Sequence, residues 1–328
     1  MSFRPSKLIA KSLIPVLTGA LASLAHAQPI KWTKMIWEAG DLGPRTEPHA
    51  ALMLEVKLDS QPAPARMQLD TGASGNILYV SKTEPLDLGL MFITLNGSVA
   101  GRPMQGEPFI KVPRQEPSGD PPLIGTIGVS FFERRILLMD FAAQQIAILD
   151  NDEPFPGMIE QGLDFVSVAY RHGYRNGKLF VPVSLNGAEF RNLFFDTGAA
   201  TTGIATVRDI WQELTGRQPS DSANERAGGG VWGEQKVVIG APLKGEMCVG
   251  KACFAHPMVY FDPSGPDRDP EFPGVIGIAP FDYHYSLVLD LAHQRLGIYK
   301  GSIAALARDK WPKGTIAGNQ KHGTLRRR

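Results

Sequence analysis

Two aspartates in this sequence stand where a charge is hard to solvate. Asp70 closes the alternating run "ARMQLD" and opens Thr-Gly-Ala, and Asp196 closes "RNLFFD" and opens the same three residues. A buried carboxylate is costly unless its surroundings hydrogen-bond it or let it keep its proton. Such an aspartate is either a turn former, since Asp, Thr and Gly are ordinary turn residues, or a site residue able to act as acid or base. One tetrapeptide does not decide between the two.

The elements around the tetrapeptides repeat as well. "AALMLEVKLDSQPAPARMQLDTGAS" (50–74) and "GKLFVPVSLNGAEFRNLFFDTGAAT" (177–201) each read as an alternating strand, a turn, a second strand and Asp-Thr-Gly-Ala. Downstream, "LIGTIGVSFFERRILLMDFAAQQIAILD" (123–150) is answered by "GVIGIAPFDYHYSLVLDLAHQRLGIYK" (274–300), with one extra residue before Asp290. Two copies of one all-β unit in the same order predict two lobes. A period this long is not that of a solenoid.

At this point the chain resembles the pepsin-like aspartic proteases, and its Asp-Thr-Gly-Ala is the form familiar from their single-lobed retroviral relatives. The resemblance spans about residues 50 to 300 and lies in pattern more than identity outside the motifs. It implies an all-β fold of two homologous lobes, the acid protease fold, with a few short helices and the active-site cleft between the lobes. Peptide hydrolysis without a metal or covalent nucleophile needs one group to deprotonate a water and another to protonate the carbonyl oxygen. Two neighbouring carboxyls sharing one proton do both, and Asp70 and Asp196 would be that pair. Gly72 and Gly198 would allow a tight turn whose N–H groups reach a carboxylate. By the same resemblance Thr71 and Thr197 would bond across the two loops, and Gly128 and Gly277 would permit close packing beneath them.

The sequence also departs from the family. Ala73 and Ala199 stand where pepsin-like enzymes carry a hydroxyl that donates to the carboxylate, and losing a donor to the charged form raises a carboxyl pKa. Activity is therefore expected at milder acidity than a digestive pepsin's. "FITLNGSVAGRPMQGEPFIKV" (92–112) reads as the substrate-covering hairpin, with Leu95 or Asn96 where pepsins have tyrosine. The Gly-rich stretch 227–239 reads as its second-lobe match, with Trp232 near the cleft, or as a loop with one packed aromatic. After the second motif, Val207, Ile210, Trp211 and Leu214 predict a short amphipathic helix, with Thr206 as its capping signal and Gly216 as its stop.

Composition bounds the rest. The chain has 328 residues, a net charge of +1 and 43% apolar residues, enough for one or two domains with ample core. Nothing in the charge balance points to nucleic acid. Gly228 to Gly233 spells G-x-G-x-x-G, but a strand-like run follows it, the reverse of a dinucleotide site. The histidines show no zinc-hydrolase spacing, so no metal and no cofactor are expected. Arg4, Lys7 and Lys11 precede the apolar stretch Ser12 to Leu24 and Ala25-His26-Ala27, the pattern of a signal peptide cleaved near Ala27. The expected compartment is the periplasm or the exterior, where Cys248 and Cys253 would close a short hairpin disulfide, with free buried thiols as the other reading.

The expected domains are a signal peptide (1–27), an N-terminal β lobe (28–152), a C-terminal β lobe (153–305) and a basic, flexible tail (306–328). The expected function is an exported aspartic endopeptidase, monomeric because both halves lie in one chain, acting on a polypeptide substrate. Two rivals remain. One is a catalytically silent pepsin-like protein that binds peptide or protein, and the other a two-carboxylate glycosidase, on which the repeated Thr-Gly-Ala has no explanation.

Overall fold

The computed structural model describes residues 30–42, 46–81, 91–114, 119–151, 155, 157–171, 177–229, 236–267 and 274–310. The fold is all-β. Each half of the chain builds its own sheet, seven-stranded in the first and ten-stranded in the second, and both contribute to a third sheet of six strands. Alternation explains the lobe strands: along Thr46–Leu58, Leu54, Val56 and Leu58 are buried while Glu55 and Lys57 are exposed. The pleat sends successive side chains to opposite faces, so this pattern fixes which face meets the core.

The shared sheet carries the duplication. Its central strands, Arg135–Asp140 and Tyr285–Asp290, pair antiparallel with Ser286 opposite Asp140 and Asp290 opposite Ile136. These residues correspond to one another in the two copies, so the halves meet about a local twofold. The outer strands obey it too, with Thr33 opposite Ile146 and Val166 opposite Leu296. The sheet is covered on both faces. Leu137, Met139, Leu287 and Leu289 join the main core, while Ile136, Leu138 and Val288 pack against Ile159 and Ile303 of two short helices, Gly157–Glu160 and Ile303–Lys310. Burial on both faces accounts for the nearly unbroken apolar runs "RILLMD" and "YSLVLD". The extra residue of the second copy falls in the turn before Tyr285, where Tyr283 takes a positive φ. The segment expected to be flexible from 306 begins inside the helix Ile303–Lys310.

An arm of the first half reaches across to the second. It is the hairpin of Ile36–Asp41 and Thr46–Leu58. His49 of the arm bonds Asp282 through Nδ1 (2.6 Å) and the Tyr283 hydroxyl through Nε2 (2.9 Å), and it is stacked on Trp37. At the far end, Gly228 N–H of the second half donates to Leu42 O. These contacts tie the second half to the arm of the first.

The expected helix is present as Arg208–Thr215, with Trp211 and Leu214 buried and Gly216 in the left-handed conformation as its stop. Its N-cap is Val207, without a side-chain cap, and not Thr206, which belongs to the preceding strand Ile204–Thr206. Cys248 and Cys253 face one another in register across a hairpin and are disulfide-bonded. Closing so short a loop contributes about 2 kcal/mol at most, a local clip on one hairpin. The expected signal peptide and residues 311–328 of the tail lie outside the described residues.

Candidate active site

Each aspartate ends or follows a strand that is gripped on both sides. Ala65–Asp70 runs parallel to Leu123–Gly128, with Asp70 opposite Gly128, while Asn76–Ser81 returns antiparallel against the same strand. In the second lobe Ala188–Phe195 runs parallel to Gly274–Ile276, Ile204–Thr206 returns antiparallel, and Asp196 N–H donates to Ile276 O. Both aspartate-bearing loops therefore leave a three-strand crossing that holds their ends from two sides.

The loops are tied by reciprocal threonine bonds. Thr71 Oγ1 donates to Phe195 O (2.9 Å) and accepts from Thr197 N–H (3.0 Å), while Thr197 Oγ1 donates to Leu69 O (3.0 Å) and accepts from Thr71 N–H (2.9 Å). Both threonines are fully buried, so water cannot replace a lost partner. Four bonds between two loops leave little freedom in the separation of the aspartates they carry.

The glycines set that separation from the other side. A Cβ on Gly72 would lie 2.6 Å from the Asp196 carboxyl, and one on Gly198 would lie 2.8 Å from the Asp70 carboxyl. Each loop thus lays its glycine against the partner's aspartate, which only a residue without a side chain permits. Ala73 N–H donates to Asp70 Oδ1 (3.0 Å) and Gly198 N–H to Asp196 Oδ1 (2.7 Å). Gly72 N–H serves both carboxyls, Ala199 N–H serves Asp196, and the two carboxyls hydrogen-bond each other.

Electrostatics follow from this geometry. Burial, then the charge of Asp196 and the bond to it, push Asp70 up to about 8 against the pull of the Ala73 and Gly72 N–H groups. Burial raises Asp196 as well, opposed by its bonds from Asp70 and from the N–H groups of Gly198, Ala199 and Gly72. Two such groups ionise as a pair and hold one proton between them over a wide range. Among the described residues, the donors to the two carboxyls other than each other are backbone N–H groups. Gly128 and Gly277 pack beneath the loops, where a Cβ would lie 2.4 Å from Gly75 O and 2.1 Å from Ala199 O.

The cover over the site is not where the sequence suggested. Phe92–Val99 and Arg102–Arg114 do form a hairpin, but Ala100 N–H at its turn donates to Glu55 O, and Arg102 pairs with Asp150. Glu55 lies opposite Arg66, at the start of the strand that Asp70 ends. The turn therefore sits at the end of the lobe away from the aspartates. Leu95 is buried in the core, and Asn96 Oδ1 accepts from Gly106 N–H of its own hairpin (2.7 Å), so neither faces the site. The second-lobe match is a hairpin, Glu225–Gly229 with Lys236–Pro242, and Trp232 lies outside the described residues.

The sequence reading did not single out Asn76, fully buried just past the first loop, with its side chain on Gly128 N–H. An Asn before the apolar run "ILYV" was the available signal. Among the described residues, Glu246, Cys248 and Cys253 stand close enough together to suggest a metal site, but the two sulfurs are bonded to each other.

No protein-family model and no curated protein matches this sequence. Similar solved structures include the basic 7S globulin of soybean (12% identity, 85% of this chain and 98% of that one, TM-score 0.45). Others are conglutin gamma, a basic 7S globulin of lupine seeds (10%, 85% and 96%, TM-score 0.49), and an aspartic proteinase from Irpex lacteus (11%, 81% and 98%, TM-score 0.45).

Proposed function

We propose that this chain is an aspartic endopeptidase, exported and acting as a monomer on an extended polypeptide. The observation that carries the reading is the pair itself: two half-buried, mutually bonded carboxyls, Asp70 under the N–H groups of Ala73 and Gly72 and Asp196 under those of Gly198, Ala199 and Gly72. A protein that only packed here would gain more from apolar residues than from two acids that burial penalises. With one proton on the pair, the ionised carboxyl takes a proton from a water while the other gives its proton to the peptide carbonyl oxygen. The water oxygen bonds the carbonyl carbon, and the resulting diol collapses as the amine leaves with a proton from the pair. The substrate would lie between the lobes, across the two aspartates, pairing through its backbone.

Digestion of a denatured protein in water enriched in heavy oxygen tests this chemistry. The expected result is new fragments carrying the heavy isotope at their new C-terminal carboxyls and no enzyme-linked fragment at any stage. An acyl-enzyme adduct would overturn the reading.

A second reading has one observation in its favour. The first-lobe hairpin turns away from the aspartates, as in a protein that binds peptide without cutting it. Stoichiometric retention of intact denatured protein, with no fragments at any pH, is the outcome that reading requires.

A further inference from the structure

A buried polar chain runs from the first catalytic loop into its lobe. Gly128 N–H donates to Asn76 Oδ1 (3.1 Å), and Asn76 Nδ2 donates to Pro108 O (3.1 Å) and Glu107 Oε1 (3.5 Å). Glu107 Oε2 holds Arg135 (3.1 Å), whose other nitrogen donates to Phe131 O (2.8 Å) and whose guanidinium lies over the Phe131 ring. Asn76 is fully buried, and Glu107 and Arg135 are nearly so. With a donor on one side and two acceptors on the other, the amide has one orientation.

The chain ends where it can act on Asp70. Gly128 backs the loop: its Cβ position is 2.8 Å from Ala73 O, and Val129 N–H donates to that same oxygen (2.9 Å). Ala73 N–H is in turn the 3.0 Å donor to Asp70 Oδ1. The second lobe does this differently, since Gly277 N–H is taken by the backbone oxygen of Gly203 (3.1 Å). One aspartate is thus backed by a side-chain network and the other by main chain.

We propose that Asn76, clamped by the Glu107–Arg135 pair, is a positioning residue for Asp70. It seats Gly128 against the loop so that the Ala73 N–H stays on the carboxylate. Its effect on turnover rests on the protease reading; its effect on the titration of the pair does not.

Asn76→Ala leaves Gly128 N–H without its acceptor and slackens the Ala73 donor, so the ionised form of the pair is less well held. The expected result is a kcat about 10- to 100-fold lower, a KM within about twofold of wild type, and an acidic limb of the pH profile moved to higher pH. Asn76→Asp offers, when protonated, one donor and one acceptor in the same shape. It should recover kcat to within about fivefold of wild type at the acid end and lose it as that carboxyl ionises. Rates are scaled to the folded fraction from urea unfolding. Wild-type kcat and limb in Asn76→Ala, or equal losses in Ala and Asp variants at every pH, would overturn the proposal. If the wild type cleaves nothing, the protease reading fails by itself, and NMR titration of labelled aspartate carboxyls judges the positioning. An upward shift for the pair in Asn76→Ala upholds it, and an unmoved titration overturns it.

Discussion

Gly72→Ala will silence the site while leaving most of the fold standing. The added methyl would occupy space 2.6 Å from Cγ and both oxygens of Asp196, and carbon does not approach a carboxylate so closely. The threonine bonds hold the loops from beneath, so the carboxyl must give way, leaving its bond to Asp70 and the Gly72 N–H. A displacement of about 1 Å in reacting groups costs on the order of 100-fold in rate. Loss of the shared proton raises that towards about 10,000-fold. Overpacking at one point costs stability of about 1–3 kcal/mol, seen as a modest fall in the urea midpoint. Gly157→Ala is the control, since a Cβ there meets nothing within 4 Å. A Gly72→Ala enzyme with wild-type kcat/KM would mean that the closeness of the two carboxyls is irrelevant to turnover.

Stability should fall as pH rises through the range where most proteins hold steady. The ordinary carboxyl titrates near pH 4, whereas Asp70 is pushed up to about 8 by burial and by Asp196. Below roughly pH 4 both folded and unfolded chains hold the proton, and its full contribution is present. Between there and about 8 the unfolded chain has released the proton while the folded chain keeps it. Unfolding then releases a proton, and stability declines by up to about 1.4 kcal/mol per pH unit until the folded pair ionises too. Asp70→Asn removes the titrating group. The wild-type minus Asp70→Asn difference in unfolding free energy, from urea titrations at several pH values, should therefore shrink steadily from acid to neutral pH. A flat difference would show that the carboxyl titrates alike in both states and is not buried beside a partner.

The repeat was the most legible feature of the sequence, because strand periodicity, the glycines and the aspartates all follow from local chemistry. Asp-Thr-Gly-Ala occurring twice at matching places pointed to the pair, and the family resemblance built on it implied the threonine bonds and the packing of Gly128 and Gly277. The hairpin 92–112 misled because alternation and a Gly-containing turn announce a hairpin without saying which end of the lobe it meets. Its position is set by pairing of Val99 with Val56, more than forty residues earlier. Helix capping failed at Thr206 because parallel pairing with Phe261 had already taken that residue into a strand. The network of Asn76, Glu107 and Arg135 was invisible for a similar reason. Its members are scattered along the chain and meet only when three strands are assembled. The His49–Asp282 contact joins the halves across a still greater separation.

Hydrolysis of one denatured protein by the wild type, Asp70→Asn and Asp196→Asn, followed from about pH 3 to about pH 9, tests the central claim most directly. The paired-carboxyl account predicts cleavage by the wild type, with a rate that is highest above strongly acid pH and is lost as the pair gives up its last proton. It predicts a loss of about 1,000-fold or more for either substitution alone, because acid and base are both required. Cleavage at the wild-type rate by either variant, or none by the wild type at any pH, would contradict it.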